Sequence, residues 1–311
     1  MYLPYLRGRQ FELLALRELV EKNLISTKIM PIIEPIKPTP TLIKTLQTYV
    51  NNHQNLAIIM NPNVGNFTRE INAIKNTNKE TTILKPLSEC IKQHNIAKAY
   101  IMNKKISDKI KNNPEKDKFI IINNKRDDLS YYKQAYEEEN PVFSLIPDDR
   151  TFRRNIENGK ILLDDKFKKQ ERNVDYIETE DEFFSDDHKF FHNEGYEGFS
   201  DYSIVGKEFK ESGFAPLAVA IHIVYFDEER NLRIKHFVSD SNEDISDPAG
   251  KFGEALTKLI SWISEGTIIT EALKQFRECF ETGKYPGLGT VKKLCVMHHI
   301  ELVSKFLDGE I

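Results

Sequence analysis

The chain has 311 residues, 40% of them hydrophobic and 30% charged, with a formal charge of -4. That balance excludes a disordered chain, and the mildly acidic total offers no broad cationic face for nucleic acid. Three cysteines, Cys90, Cys279 and Cys295, are too few and too scattered for a disulfide framework or a zinc site, so reduced, buried thiols are expected.

Met1 to Gln10 is a short amino terminus that carries Arg7 and Arg9 and lacks a small-residue cleavage site. No run reaches the ~18 apolar residues of a membrane span. A cytoplasmic protein is expected. Phe11, Leu14, Ala15, Leu19 and Val20 recur at helical spacing, which predicts a first helix from about Arg9. Short β-rich runs follow, each ending in polar residues. Ile29 to Ile33 leads to Glu34 and Lys37, where Pro35 and Pro38 stop any helix. Leu56 to Met60 leads to Asn61 and Asn63, Tyr100 to Met102 to Asn103, and Phe119 to Ile122 to Asn123 and Lys125. Val142 to Ile146 leads to Asp148, Asp149 and Arg150, and Ile161 to Leu163 to Asp164, Asp165 and Lys166. Helix-compatible segments such as Thr41 to Tyr49 and Pro86 to Ile91 lie between most of them. Strands that are apolar on both faces and alternate with helices form a parallel sheet covered by helices. At least six such strands favour closure, hence an α/β fold of the (β/α)-barrel, TIM-barrel-like class.

The pattern changes after about residue 170. Residues 173–193 form an acidic, aromatic insertion, which either covers or lines a functional face or is a solvated loop with aromatic anchors. Strand character resumes at Asp201 to Val205. Ala218 to Phe226, a polar turn and Leu232 to Val238 predict an antiparallel hairpin, which makes the barrel a variant. Helices over Lys251 to Ile263, Thr270 to Cys279 and Val291 to Leu307 close the chain. No linker interrupts it, so residues 1–311 read as a single barrel-like domain.

In parallel α/β folds the loops after the strand ends share one face. The candidate pocket therefore comprises Arg7, Arg9, Glu34, Lys37, Asn61, Asn63, Asn123, Lys125, Asp148, Arg150, Asp164, Asp201, His222 and His236. Strand ends are polar in any water-soluble sheet, which accounts for part of this pattern. Glu34, Asp148 and Asp164 are hard oxygen donors, and Asn61 or Asn123 could add carbonyl oxygens, a set suited to Mg²⁺ or Mn²⁺. Arg7 and Arg9 could hold a phosphate or carboxylate bidentately, or Arg9 could pair with Glu12 along the first helix. Ser200 and Asp201 could sit on a tight turn, with Asp201 a capping residue rather than part of a nucleophile site. His222 and His236 occupy central positions of the two hairpin strands, as a facing functional pair or as buried, backbone-bonded histidines. His298 and His299 are adjacent on a helix and cannot form a simple clamp.

Met1-Tyr-Leu-Pro-Tyr-Leu-Arg-Gly-Arg-Gln-Phe-Glu-Leu, Pro31-Ile-Ile-Glu-Pro-Ile, Gly198-Phe-Ser-Asp-Tyr-Ser-Ile-Val-Gly206 and His236-Phe-Val-Ser-Asp-Ser-Asn242 together resemble bacterial relatives of the phage beta-protein family. The resemblance implies a barrel-like α/β fold, and a phage-related two-gene module, of the anti-phage defence kind, with a protein partner encoded by the neighbouring gene. It carries no catalytic set. Two expectations follow. One is a non-catalytic or sensing component that works through that partner. The other is a divalent-metal-dependent hydrolase of a phosphate-containing substrate.

Overall fold

The computed structural model describes residues 1–211, 216–264 and 266–311. The chain opens with β1 (Tyr5–Leu6), α1 (Gln10–Glu21), β2 (Ile32–Ile33), α2 (Pro40–Asn51), β3 (Leu56–Ile59), α3 (Phe67–Ile74) and α4 (Lys85–Ile91). It continues through β4 (Ile96–Ile101), α5 (Lys104–Ile110), β5 (Ile120–Ile122), α6 (Leu129–Ala135), β6 (Phe143–Ile146), α7 (Arg150–Asn155) and β7 (Lys160–Asp164). Then come β8 (Asp181–Ser185), α8 (Asp187–Phe190), β9 (Gly198–Asp201), β10 (Ala220–Phe226) and β11 (Leu232–Val238). Three helices end the chain: α9 (Pro248–Trp262), α10 (Glu271–Thr282) and α11 (Leu288–Asp308).

Among the described residues, β1 to β7 and then β9 pair in order as eight parallel strands. Tyr2 bridges both Ile29 and Phe199. Leu3 N–H donates to the Phe199 carbonyl at 2.9 Å and Phe199 N–H to the Met1 carbonyl at 3.0 Å, which joins the last strand to the first. Gly198 is required there, because a Cβ would lie 2.5 Å from the Met1 carbonyl oxygen. The fold is thus a (β/α)-barrel variant. Its interior is filled by alternate residues of successive strands, including Leu3, Ile32, Ile59, Ile101, Ile122, Leu145 and Leu163. The other strand faces pack on the helices. Local signals fix several helix starts: Thr39, Asn103 and Thr270 each accept a backbone N–H in the first turn, from Leu42, Ile106 and Leu273.

The hairpin lies outside the barrel wall. β10 and β11 pair antiparallel, and β8 adds on the far side of β11, making a separate three-stranded sheet. This sheet is assembled from two excursions, one between β7 and β9 and the other after β9. The insertion at 173–193 is therefore more than a solvated loop, and its Asn173 and Tyr176 line a cavity. It supplies a 3-10 turn (Asn173–Ile177), the strand β8 and the short α8. Asn173 Nδ2 anchors it to the Ala218 carbonyl at 2.8 Å. Helix α11 runs between α1, α10 and β10. It is buried nearly all round from Val291 to Ser304, as a helix sandwiched between two layers must be. One apolar cluster extends from the barrel's outer face through α11 into the second sheet.

Two boundaries differ from the sequence expectation. β1 lies inside the segment read only as an amino terminus, because two residues carry no periodicity. Strand β9 ends at Asp201, and Ser203–Val205 is a 3-10 turn. There Asp201 Oδ1 accepts the Ser203 N–H at 2.7 Å, and Ser203 adopts a φ of 49°.

Candidate functional site

The carboxyl ends of the barrel strands carry the expected polar side chains, and Glu34, Arg7, Tyr5 and Asn61 among them are bonded to one another or to the strand ladder. Glu34 is buried and fully engaged. Its Oε1 accepts the Asn63 N–H at 2.7 Å, and its Oε2 accepts the Tyr5 hydroxyl at 2.8 Å and an ion pair from Arg7. Arg7 also donates to the Lys207 carbonyl and lies over the rings of Tyr5 and Tyr202, 5.1 Å from each centroid. Asn61 inserts its amide into the strand ladder, donating to the Ile101 carbonyl at 2.8 Å and accepting the Ile101 N–H at 2.9 Å.

The proposed metal ligands do not gather. Asp148 is an exposed loop residue that pairs with Arg153 and accepts the Tyr196 hydroxyl at 3.2 Å. Asp164 is half exposed and pairs with Lys166 at 2.9 Å. Among the described residues no three His, Cys, Asp or Glu side chains are arranged to hold an ion. The trio Glu34, Asp148 and Asp164 is thereby corrected: each carboxylate is held by its own cation, and Glu34 has no free oxygen. Burial works against the charge on Lys166, yet Asp187 and Asp164 outweigh it and push its pKa up to about 12. Asp149 caps α7 through the Thr151 N–H at 2.7 Å, and chiefly the adjacent Arg126 holds its carboxyl down at about 2. Lys37, Asn63, Lys125 and Arg150 are exposed. Asn123 is buried, and neither its amide nitrogen nor its oxygen has a partner.

Asp201 faces away from the barrel axis, beneath α11. It accepts the Tyr2 hydroxyl at 2.8 Å, and burial raises its pKa to about 6. Ser200 Oγ donates to the Leu3 carbonyl at 2.6 Å, so this hydroxyl ties the barrel seam. The serine–histidine contact nearby is a different one: Ser203 Oγ meets His299 Nδ1 at 2.9 Å, fully buried. The charged pairing expected along α1 also takes another form. Glu12 accepts the backbone N–H groups of Arg7 at 2.8 Å and Arg9 at 3.5 Å. It thereby caps the helix and leaves the Arg9 guanidinium free of a carboxylate among the described residues.

That guanidinium enters a cavity of about 380 Å³ between the barrel mouth and the second sheet. Of the sequence candidates, the cavity brings together Arg7, Arg9 and His222. Its polar wall adds Lys169, Lys210, Lys292, Glu171 and Glu208; its apolar wall includes Phe167, Tyr176, Ile204, Phe209 and Val291. Lys169 and Lys210 share Glu208, each at 3.4 Å. Arg9 donates to the Lys210 carbonyl and stacks on Phe209, 4.9 Å from its centroid. Lys292 has only the distant Glu12 carboxylate, at 3.8 Å, and Glu12 Oε1 is otherwise unpartnered. Burial first, and then repulsion from Arg9 and Lys169, pull the Lys292 pKa down against the attraction of Glu12.

His222 lines the same cavity and His236 stands behind it. They are direct partners in the β10–β11 register, and their Nδ1 atoms are 2.7 Å apart. The facing pair is thus realised. Tyr176 packs against both rings, with centroids at 4.7 and 4.6 Å. Burial keeps both histidines below their usual pKa, most strongly His222, which also feels His236 and Lys292. Cys295 also lines the wall, and burial pushes its thiol up to about 12, which leaves it a neutral apolar contact.

Sequence reading missed Lys169, Tyr176, Lys292 and Cys295. Lys292 did leave a signal, a lone charge beside the apolar Val291, Leu294 and Val296 of α11. Tyr176 lay in the insertion, whose pairing with the hairpin no local pattern reveals. A volume of this size is at the small end of ligand pockets, and a mostly apolar wall with a few convergent charges is their usual make-up. No family model, curated protein or solved structure matches the chain.

Proposed function

We propose that the chain is a non-catalytic sensing component that binds a small amphipathic anion, a phosphate ester, in the cavity between the barrel and the second sheet. The observation that carries this reading is the crowding of Arg9, Lys169 and Lys292 in one half-enclosed space. Arg9 has no carboxylate within reach among the described residues, Lys292 has one only at 3.8 Å, and Lys169 shares Glu208 with Lys210. Like charges held together with too few counterions are stabilised by an incoming anion. The phosphoryl group would sit among these cations. The apolar part of the ligand would lie along Phe167, Tyr176 and Ile204.

Output through a partner is the second half of the proposal. The turn Asn173–Ile177, which lines the cavity, also presents Ile177 to solvent, and the neighbouring β8 and α8 present Phe183 and Phe190, large apolar side chains at the protein surface. The partner expected from the phage beta-protein resemblance, the product of the neighbouring gene, would bind there and read the state of the cavity. No helix among the described residues is long and apolar enough to cross a membrane.

Calorimetric titration with phenyl phosphate tests the reading. Binding is expected to weaken about tenfold in Arg9→Met, the loss of one charge-assisted contact. Wild-type protein that takes up neither phenyl phosphate nor inorganic phosphate at millimolar concentration contradicts it. For the second half, a titration of the neighbouring gene's product should show an affinity that phenyl phosphate changes.

A further inference from the structure

We infer that the cavity selects an anion that also carries a neutral O–H or N–H donor, and that Nε2 of His222 is the acceptor for it. This rests on the anion-binding reading above and adds the chemistry of the ligand's other end.

Two neutral imidazoles can share a hydrogen across Nδ1 atoms 2.7 Å apart only if one ring is protonated at Nδ1 and the other at Nε2. Glu182 decides which. Its Oε2 pairs with Lys168 at 2.7 Å, so the carboxylate faces the histidine as an acceptor. Its Oε1 stands 3.5 Å from Nε2 of His236, an ion-pair distance, and that buried nitrogen makes no hydrogen bond among the described residues. His236 therefore keeps its proton on Nε2, towards the carboxylate. Its Nδ1 is left bare and receives the Nδ1 proton of His222.

The consequence appears at the other edge of His222. Its Nε2 carries a lone pair and no proton. It has no hydrogen-bond partner among the described residues, yet it is not sealed inside the protein: His222 lines the cavity and is only partly buried. The groups packed around it cannot supply the missing donor. Tyr176 and Phe167 meet the ring edge-on, with centroids at 4.7 and 5.2 Å. From α11, the Cys295 thiol is only a weak donor and makes no hydrogen bond to the ring, and Lys292 lies 3.8 Å from Glu12. The cavity thus offers cationic donors, Arg9, Lys169 and Lys292, and one fixed acceptor. A bare phosphate would leave that acceptor unmatched, and so would a simple aryl phosphate. A hydroxyaryl or aminoaryl phosphate would satisfy both ends.

The test uses matched probes: phenyl phosphate, 3- and 4-hydroxyphenyl phosphate, and their methyl ethers. Calorimetry on wild-type protein should show at least one hydroxy compound binding about tenfold more tightly than its ether. His222→Phe should abolish that preference while still binding phenyl phosphate. Glu182→Leu, which frees the pair to exchange tautomers without touching the cavity wall, should reduce the preference and covers the case in which His222→Phe does not fold. In wild type, nitrogen-15 spectra of labelled histidine should place the proton of His222 on Nδ1. If phenyl phosphate binds but hydroxy compounds and ethers bind equally, the acceptor role is overturned and the anion site stands. If neither an aryl phosphate nor inorganic phosphate binds, the anion site itself is overturned. A His222 proton found on Nε2 also overturns the assignment.

Discussion

The barrel mouth and the junction with the second sheet are both rich in polar residues, yet they solve opposite problems. At the mouth, Glu34, Arg7, Tyr5 and Asn61 consume one another's donors and acceptors. At the junction, Arg9 bonds a backbone carbonyl and no carboxylate, Lys292 reaches Glu12 only at 3.8 Å, and Nε2 of His222 has no hydrogen-bond partner among the described residues. The two regions also differ in the chemistry of their buried groups. The buried and half-buried histidines His188, His222, His236, His298 and His299 all belong to the second sheet, α8 or α11, whereas His53 and His94 on the barrel are exposed. Polar density marks where a sheet ends.

Acid should break this contrast most forcefully, because it acts on one region. Burial lowers His188 and His298 to about 4 and His299 to about 3. Each is neutral in the fold, so the unfolded chain takes up the proton first. Their contribution is whole above the unfolded value near 6.5 and is lost as pH falls towards those lower values, on the order of 3 kcal/mol each. Asp201, raised to about 6, works the other way and recovers part of this loss below that pH. Urea unfolding followed between pH 7 and about 4.5 should therefore show a steep net loss of stability. A flat profile would contradict the burial of these rings.

Next in size is the mouth's ion pair. Glu34→Gln leaves the Arg7 charge buried beside two aromatic rings, and should cost about 3–5 kcal/mol in chemical denaturation. Arg9→Met, at the junction, should reverse that balance. It is expected to change stability by less than about 1 kcal/mol and to weaken phenyl phosphate binding about tenfold. The smallest effect belongs to the exposed acids of the mouth. Asp148→Ala combined with Asp164→Ala should shift stability by no more than about 1 kcal/mol and leave anion binding unchanged in calorimetry.

The barrel was readable because its signals are local. Runs such as Ile120–Ile122 are apolar on both faces, and Thr39-Pro40 punctuates the chain at a helix start. The strand-end residues were readable as a class for the same reason. Which of them remain unmatched was not, since that depends on pairs far apart in sequence: Glu34 with Arg7, Asp148 with Tyr196, and β8 with β11. His222 and His236 were the exception. A hairpin sets its own register, so two histidines near the middle of its strands could be expected to face each other.

The most direct test of the account is a crystal structure of the chain soaked with phenyl phosphate. The account predicts phosphoryl density among Arg9, Lys169 and Lys292, with the ring against Tyr176. Density instead over the barrel axis, at Asn61, Asn123 and Lys125, would contradict it.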